Sequence, residues 1–318
     1  MPNPTRAVFE TRDSCPACGS REIQTRFACS FAEPPIASFI KSFYNIDPAT
    51  LGGTYRAEQC KSCSTFFQAE VGDADLLRKL YSDWVFDIGD PLRDPLYAFD
   101  IAHPRLSRDG HEVMAAAASL GLSLPHLRTL DFGMGWAGWA RIAHSLGCQS
   151  YGYDLSPERM AYAAALGIRA PEPDDRFHFI NTEQVFEHLT DPLGAALRLA
   201  DALLPGGILK LSVPSSRGLD RLFDSLAGRE DVSHEEIMPL QPLEHVNSFS
   251  RAGLCELAGR VGLRCLQPPI AASYAFLRHH RTLDARKPMK VAKEIIRPFY
   301  QRINSRNHHM WFRKACSH

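Results

Sequence analysis

The stretch RTLDFGMGWAGWARIAHSLG, from Arg128 to Gly147, constrains the fold more than any other part of the chain. A short apolar run stops at a glycine cluster, and a helical pattern ending in glycine follows it. That is a strand, a tight loop and a helix, the first βα unit of a parallel sheet. The pattern then recurs. QSYGYDLS reads as a strand with Asp154 at its end, and PERMAYAAALG as a helix with Ser156 as cap and Pro157 in its first position. FHFIN is a strand, LGAALRLADALLPGG a helix stopped by glycine, and ILKLSVP a buried strand. SRAGLCELAGRVGL, capped by Ser250, then RCLQPP, VAKEIIRPFYQRI and HHMWFRK complete the series as helix, strand, helix and strand. The alternation predicts an α/β fold with a doubly wound, mostly parallel seven-stranded sheet and helices on both faces. Its third strand, around APEPDD, is poorly marked.

Upstream the pattern is different, and the main boundary is expected near Pro125. Cys15 and Cys18, then Cys60 and Cys63, form two C-x-x-C pairs. Thiolates three residues apart converge on one point, and two pairs complete a closed tetrahedral shell of the structural zinc kind. Gly19 stands where such a knuckle needs positive φ. Cys29 has no partner at ligand spacing and reads as a core residue. The Pro- and aromatic-rich insert between the pairs looks like a covering loop. DADLLRKLYSDW starts a helix at Asp73, and a second helix, with four consecutive alanines, runs from about Arg108 to Leu120. The expected division is a four-cysteine module over 1–72, a helical linker or cap over 73–126, and the α/β domain over 127–318.

Composition narrows the setting. Lys plus Arg and Asp plus Glu number 36 each, so the overall balance asks for no polyanionic partner. MPNPTRAVFE has no apolar core of a signal peptide, and no run of about 18 apolar residues occurs. A cytoplasmic location is expected, where the nine cysteines stay reduced and serve metals or chemistry.

Gly133, Gly135 and Gly138 spell G-x-G-x-x-G, and Asp154 lies 19 residues beyond Gly135, placed to accept ribose hydroxyls. Those features suit NAD and S-adenosylmethionine alike. Three others choose between them. Asp131 would repel a pyrophosphate but suits a ligand carrying an ammonium and a sulfonium. Bulky Trp136 stands where a pyrophosphate needs bare backbone. LLPGGILKLSVP matches the late segment in which a Pro-Gly-Gly turn feeds a buried strand.

With LDFGMGWAGWA, GYDLS, FINTEQVFEHLTDP and LLPGGILKLSVP on the page, the chain from about Leu130 to Gly262 resembles the class I S-adenosylmethionine-dependent methyltransferases, whose fold is Rossmann-like. The resemblance implies that Asp131, Gly133 and Gly135 are the family's D-x-G-x-G. It makes Asp154, with Leu155 after it, the ribose-binding segment, and sets Asn181 and Thr182 at the methionine moiety. The family's third glycine is Ala137 here, with Gly138 displaced by one. Asp174 or Asp175 is a candidate for the adenine amine. C-x-x-C, PPIASF, C-x-x-C and the D-x-x-L-x-x-L-Y helix are similar to the zinc module of sugar methyltransferases, which implies a glycosyl substrate.

Methyl transfer is an in-line displacement, and a hydroxyl or carbon acceptor must also lose a proton, a task suited to histidine. Of thirteen histidines, two have context. His188 follows the fourth strand and reads either as a packing or capping residue or as a group near the methyl end. His245 follows Glu244 on the loop after the fifth strand, where related sugar C-methyltransferases carry Tyr-x-Glu-His. Glu244 beside it would hold the tautomer and raise its basicity. Pro242 replaces the tyrosine, which favours a sugar hydroxyl over carbon as the acceptor. From Arg278 to Lys314 there are eleven Lys or Arg against two Asp or Glu. That stretch reads as a helix and a last strand rather than a nucleic-acid surface, though it suits an anionic glycan or nucleotide diphosphate. Alternatives are an RNA or protein methyltransferase reading its substrate through the zinc module, or a non-catalytic scaffold. The oligomeric state is not legible.

Overall fold

The computed structural model describes residues 9–84, 94–278, 296 and 306–316. Twelve strands lie among them: β1 Phe9–Thr11, β2 Ile23–Ser30, β3 Thr54–Cys60, β4 Phe66–Gln68, β5 Glu70–Gly72, β6 Arg128–Phe132, β7 Gln149–Tyr153, β8 Phe177–Glu183, β9 Leu203–Pro214, β10 Asn247–Ser248, β11 Leu263–Leu266 and β12 Asn307–Lys314. The segment VAKEIIRPFYQRI, expected as a helix, falls outside the described residues apart from residue 296. Contacts group the chain into two compact units. One comprises 1–87, 186–195 and 213–260; the other comprises 88–185, 196–212 and 261–318. The units alternate along the chain.

The second unit holds a six-stranded sheet in the order β11-β12-β9-β8-β6-β7. β7, β6, β8 and β9 run parallel, and β11 pairs antiparallel with β12. The order turns around at β6, which has β7 on one side and β8 on the other, so the crevice at its carboxyl end is a topological switch point. The expected seventh strand is absent among the described residues. In its place Tyr151 and Arg169 make one isolated parallel bridge. Pro171 and Pro173 follow immediately and supply no N–H to a ladder. Asp175 then closes a turn, accepting from Glu172 N at 2.9 Å.

Local signals work as expected in this unit. Ser156 accepts from Arg159 N, and Pro157 opens the helix Pro157–Ala165. The helix Arg108–Leu120 starts at Ser107 and ends at Gly121 in the left-handed region. Ala115, Ala116 and Ala117 are buried on that helix, where small side chains admit close packing. Trp139 stacks on Phe179, and Phe179 meets Trp311 edge to face, which places aromatic rings at the centre of the core.

The first unit holds an antiparallel sheet ordered β10-β4-β3-β2 and a β1–β5 pair. Its core gathers Phe31, Tyr55, Phe66, Phe223 and Leu240, with Cys29 packed partly buried against it. The helix expected from Asp73 is present; Asp73 caps it, accepting from Leu76 N, and Leu80–Trp84 continues as a π turn. Two-residue β10 pairs with β4, with Gln68 N donating to the Val246 carbonyl at 3.0 Å, and further polar contacts anchor it. Asn247 donates to the carbonyls of Phe186 (2.9 Å) and Leu189 (2.7 Å) and accepts from Arg12 at 2.8 Å. Ser250 accepts from Gly253 N at 2.8 Å and so caps the helix Arg251–Arg260.

Candidate cofactor site and metal centre

The glycine loop is tied to the end of β7. Gly133 N and Met134 N both donate to the Tyr153 carbonyl, at 2.8 and 3.1 Å. Gly133 has φ +72°, and a Cβ there would stand 2.4 Å from Val185 Cγ2, so only glycine fits. Gly135 has φ +54°, and its Cβ would meet nothing within 4 Å. Packing leaves Gly135 open on that side, which suits a loop that a ligand approaches closely. Ala137, at φ 58°, holds the left-handed conformation that a glycine would hold more easily. Gly138 is needed for a different reason: its Cβ would come within 2.7 Å of Tyr97 Cε2.

Asp154 pins this loop. Its Oδ2 accepts from Gly135 N at 2.9 Å and its Oδ1 from Ser156 N at 3.0 Å, with Arg159 at 3.6 Å. A carboxylate offers about four lone-pair directions, so two remain for hydroxyl donors. Leu155 beside it is 84% exposed, an apolar side chain held in the open next to the loop. Asp131 lies inside instead. It pairs in register with Asn181 across β6 and β8, accepts from Asn181 Nδ2 at 2.8 Å, and accepts from Ala140 N at 3.2 Å. Burial raises its pKa to about 7, against the hydrogen bond from Asn181. Asn181 and Thr182 are also buried; Thr182 Oγ1 donates to the Lys210 carbonyl at 2.9 Å. Of the two adenine candidates, Asp175 is paired with Arg128, and Asp174 is exposed.

In the first unit the four cysteines meet. Cys15, Cys18, Cys60 and Cys63 have all their sulfurs within 4.8 Å of one another. Cys15 to Cys63 is 3.6 Å and Cys18 to Cys60 is 3.5 Å. A tetrahedral shell with Zn–S bonds of about 2.3 Å has edges of about 3.8 Å, so the set fits zinc. Each knuckle closes identically, with Gly19 N on the Cys15 carbonyl and Ser64 N on the Cys60 carbonyl, both at 2.9 Å. Gly19 at φ +77° meets the expectation, and Ser64 takes the same region at φ 59°. The hydrogen bond from Cys15 draws Cys63 down to about 5, toward the thiolate a metal needs.

The three residues expected to carry proton chemistry also lie in the first unit. His245 is buried, and its Nδ1 is held on the Met238 carbonyl. A carbonyl only accepts, so Nδ1 carries the proton and Nε2 keeps a lone pair. Burial lowers His245 to about 4 and His188 to about 3, the latter also through His245; both rings are neutral at pH 7. The rings stand 4.6 Å apart and nearly perpendicular. Glu244 does not orient His245, contrary to expectation. Its carboxylate turns away to accept from Gln241 Nε2 at 2.7 Å and Tyr44 OH at 3.4 Å, and the Met238 carbonyl fixes the tautomer. The structure also adds tyrosines that no nearby sequence announced. Tyr44 OH donates to the Pro242 carbonyl at 2.8 Å, and Tyr81 OH lies 3.1 Å from His188 Nδ1.

One buried ionic cluster of the second unit was not read from the sequence. Lys210, on β9, donates to Glu112 at 2.8 Å and to Glu183 at 2.7 Å. Arg108 reaches Glu183 at 3.4 Å, and His309 Nδ1 lies 2.8 Å from Ser212 Oγ. A lysine inside the apolar run ILKLSVP was the available signal, because a buried cation requires partners.

The methyltransferase-domain family matches residues 99–267, slightly over half of the chain. The chain belongs to that family. It is an S-adenosylmethionine-dependent methyltransferase, and the glycine loop, Asp154 and the carboxyl ends of β6, β7, β8 and β9 lie inside the matched span. No curated protein matches the chain in sequence. Among solved structures, it is similar to the plantazolicin methyltransferase BamL in complex with a triazolic desmethylPZN analog and SAH, with 13% identity, 75% of this chain, 94% of that one and a TM-score of 0.43. It is also similar to the magnesium protoporphyrin IX methyltransferase of Synechocystis PCC 6803, at 18% identity, 61% and 85% coverage and a TM-score of 0.38. A third is the YcgJ protein of Bacillus subtilis, at 18% identity, 63% and 99% coverage and a TM-score of 0.38. Among the described residues no helix is long and apolar enough to cross a membrane.

Proposed function

We propose that the enzyme methylates a sugar hydroxyl, free on a nucleotide or within a glycan, in the cytoplasm. The carrying observation for the cofactor is the loop itself, with Gly133 and Gly135 at positive φ and Gly135 N held by Asp154. In this reading Asp154 accepts the ribose hydroxyls, Leu155 covers the adenine, and Gly135 lets the ligand lie against bare backbone. Asp131 acts through the loop, since it is buried and accepts from Ala140 N at the start of the following helix. Asn181 and Thr182 contribute main chain at the end of β8, because their side chains are already engaged. S-adenosylmethionine, when bound, supplies an activated methyl group on a good leaving group. His245 takes the acceptor proton at Nε2, and His188 lies against it. The four cysteines hold a structural zinc ion that fixes both knuckles.

The glycosyl acceptor is supported by the likeness of the 1–72 segment to the zinc module of sugar methyltransferases and by the balanced overall charge. Mass-shift screening of nucleotide-sugars tests it, with gain of one methylene as the expected result. Calorimetry tests the cofactor. Binding of S-adenosylmethionine should weaken roughly ten- to a hundredfold in Asp154→Ala, from the loss of about 1.5–3 kcal/mol of charge-assisted hydrogen bonding. A folded wild type that gives no heat would sink the reading.

A further inference from the structure

The histidine pair has a third member. Glu187, fully buried, directs a carboxylate to the same point, and ligand atoms of Glu187, His188 and His245 all lie within 4.8 Å of one another. We propose that these three side chains form a second metal site, binding a divalent transition ion through one carboxylate oxygen and two imidazole nitrogens.

Two observations carry this. The donor set is that of open zinc and related sites, two imidazoles and a carboxylate, with positions left for water or substrate. Both imidazoles are also already turned for coordination. His245 gives its Nδ1 proton to the Met238 carbonyl, and His188 Nδ1 lies 3.2 Å from the Glu244 carbonyl and 3.1 Å from the Tyr81 hydroxyl. Ligating histidines characteristically donate their other ring nitrogen to such a carbonyl, which fixes the tautomer and aims the lone pair. Bonds of about 2.1 Å place neighbouring donors roughly 3–3.5 Å apart, a contraction within the reach of small rotamer changes.

The site is distinct from the cysteine shell in residues and in ligand chemistry. It shares the His245 lone pair with the proton transfer assigned above. On that reading, which this consequence alone depends on, a bound ion suppresses methyl transfer.

Cobalt titration of the full-length, metal-free protein tests the site. Two equivalents per chain are expected, one with the ultraviolet charge-transfer band of thiolate ligation and one with visible bands only. Glu187→Gln and His188→Gln should lose the second signature, binding at least about tenfold more weakly, while retaining the first. Circular dichroism establishes that each variant is folded, and two variants guard against the misfolding of either. Uptake without any thiolate-free signature, or equal uptake by both folded variants, overturns the proposal. Calorimetry with S-adenosylmethionine on the metal-free protein reports separately on the methyltransferase site.

Discussion

Ala137 enters its helix at φ 58° with its methyl group fully buried against Met134, Ala140, Ala163 and Ile168. A non-glycine residue in this region costs about 1–2 kcal/mol. Replacing it by glycine would relieve that cost but lose about 0.8 kcal/mol of methyl burial and add about 0.5–1 kcal/mol of unfolded-state entropy. Ala137→Gly should therefore stay within about 1 kcal/mol of wild type in denaturant unfolding. Ala137→Val, β-branched and too large for the cluster, should cost more than about 2 kcal/mol and weaken cofactor binding. The irregular letter in the motif was legible in the sequence; that the alanine itself takes the glycine's conformation was not. The orientation of His245 was equally out of reach. Glu244 is its neighbour in sequence, but Met238, seven residues back, holds its ring, because two short helical turns bring that carbonyl onto it.

Between β8, β9 and the helix Arg108–Leu120 the dominant interaction is ionic. Burial raises the Glu183 pKa, but Lys210 and Arg108 outweigh it and hold the carboxyl at about 2. Lys210→Met removes the shared cation, leaving Glu183 with Arg108 and Glu112 with the Trp139 Nε1 hydrogen bond alone. The expected cost is about 3–5 kcal/mol, read as a fall in thermal midpoint. A smaller loss would mean that Arg108 alone satisfies the carboxylates. Element types and caps were readable wherever periodicity and a local signal agreed, as at Ser156 and Ser250. They failed at the expected third strand, where two prolines and an Asp-closed turn leave one bridge. The two-residue β10 was also missed, since its hydrogen-bonding partners lie far away in sequence.

Across the whole molecule, His188, His245 and His309 are all lowered by burial, to about 3, 4 and 4. Such histidines bind protons more readily in the unfolded chain, so stability is lost as pH falls below about 6.5 toward 4. Asp131, raised to about 7, acts in the opposite sense, since its protonated form is favoured in the fold between about pH 4 and 7. Three groups outweigh one, and the thermal midpoint should fall on acidification from pH 7 to 5. A midpoint that rises over this range would show the histidines to be solvated. The sequence by itself determined the βα alternation, the glycine loop with Asp154, and the pairing of the cysteines into two C-x-x-C knuckles. Each of these is written in spacings of a few residues, where backbone preference and local hydrogen bonding decide the outcome. Only the tertiary structure decided that residues 213–260 join the N-terminal unit, that Lys210 lies among carboxylates, and that Glu187 meets two histidines. Those contacts join segments far apart in the chain, and their energy comes from burial and charge pairing that no local pattern encodes.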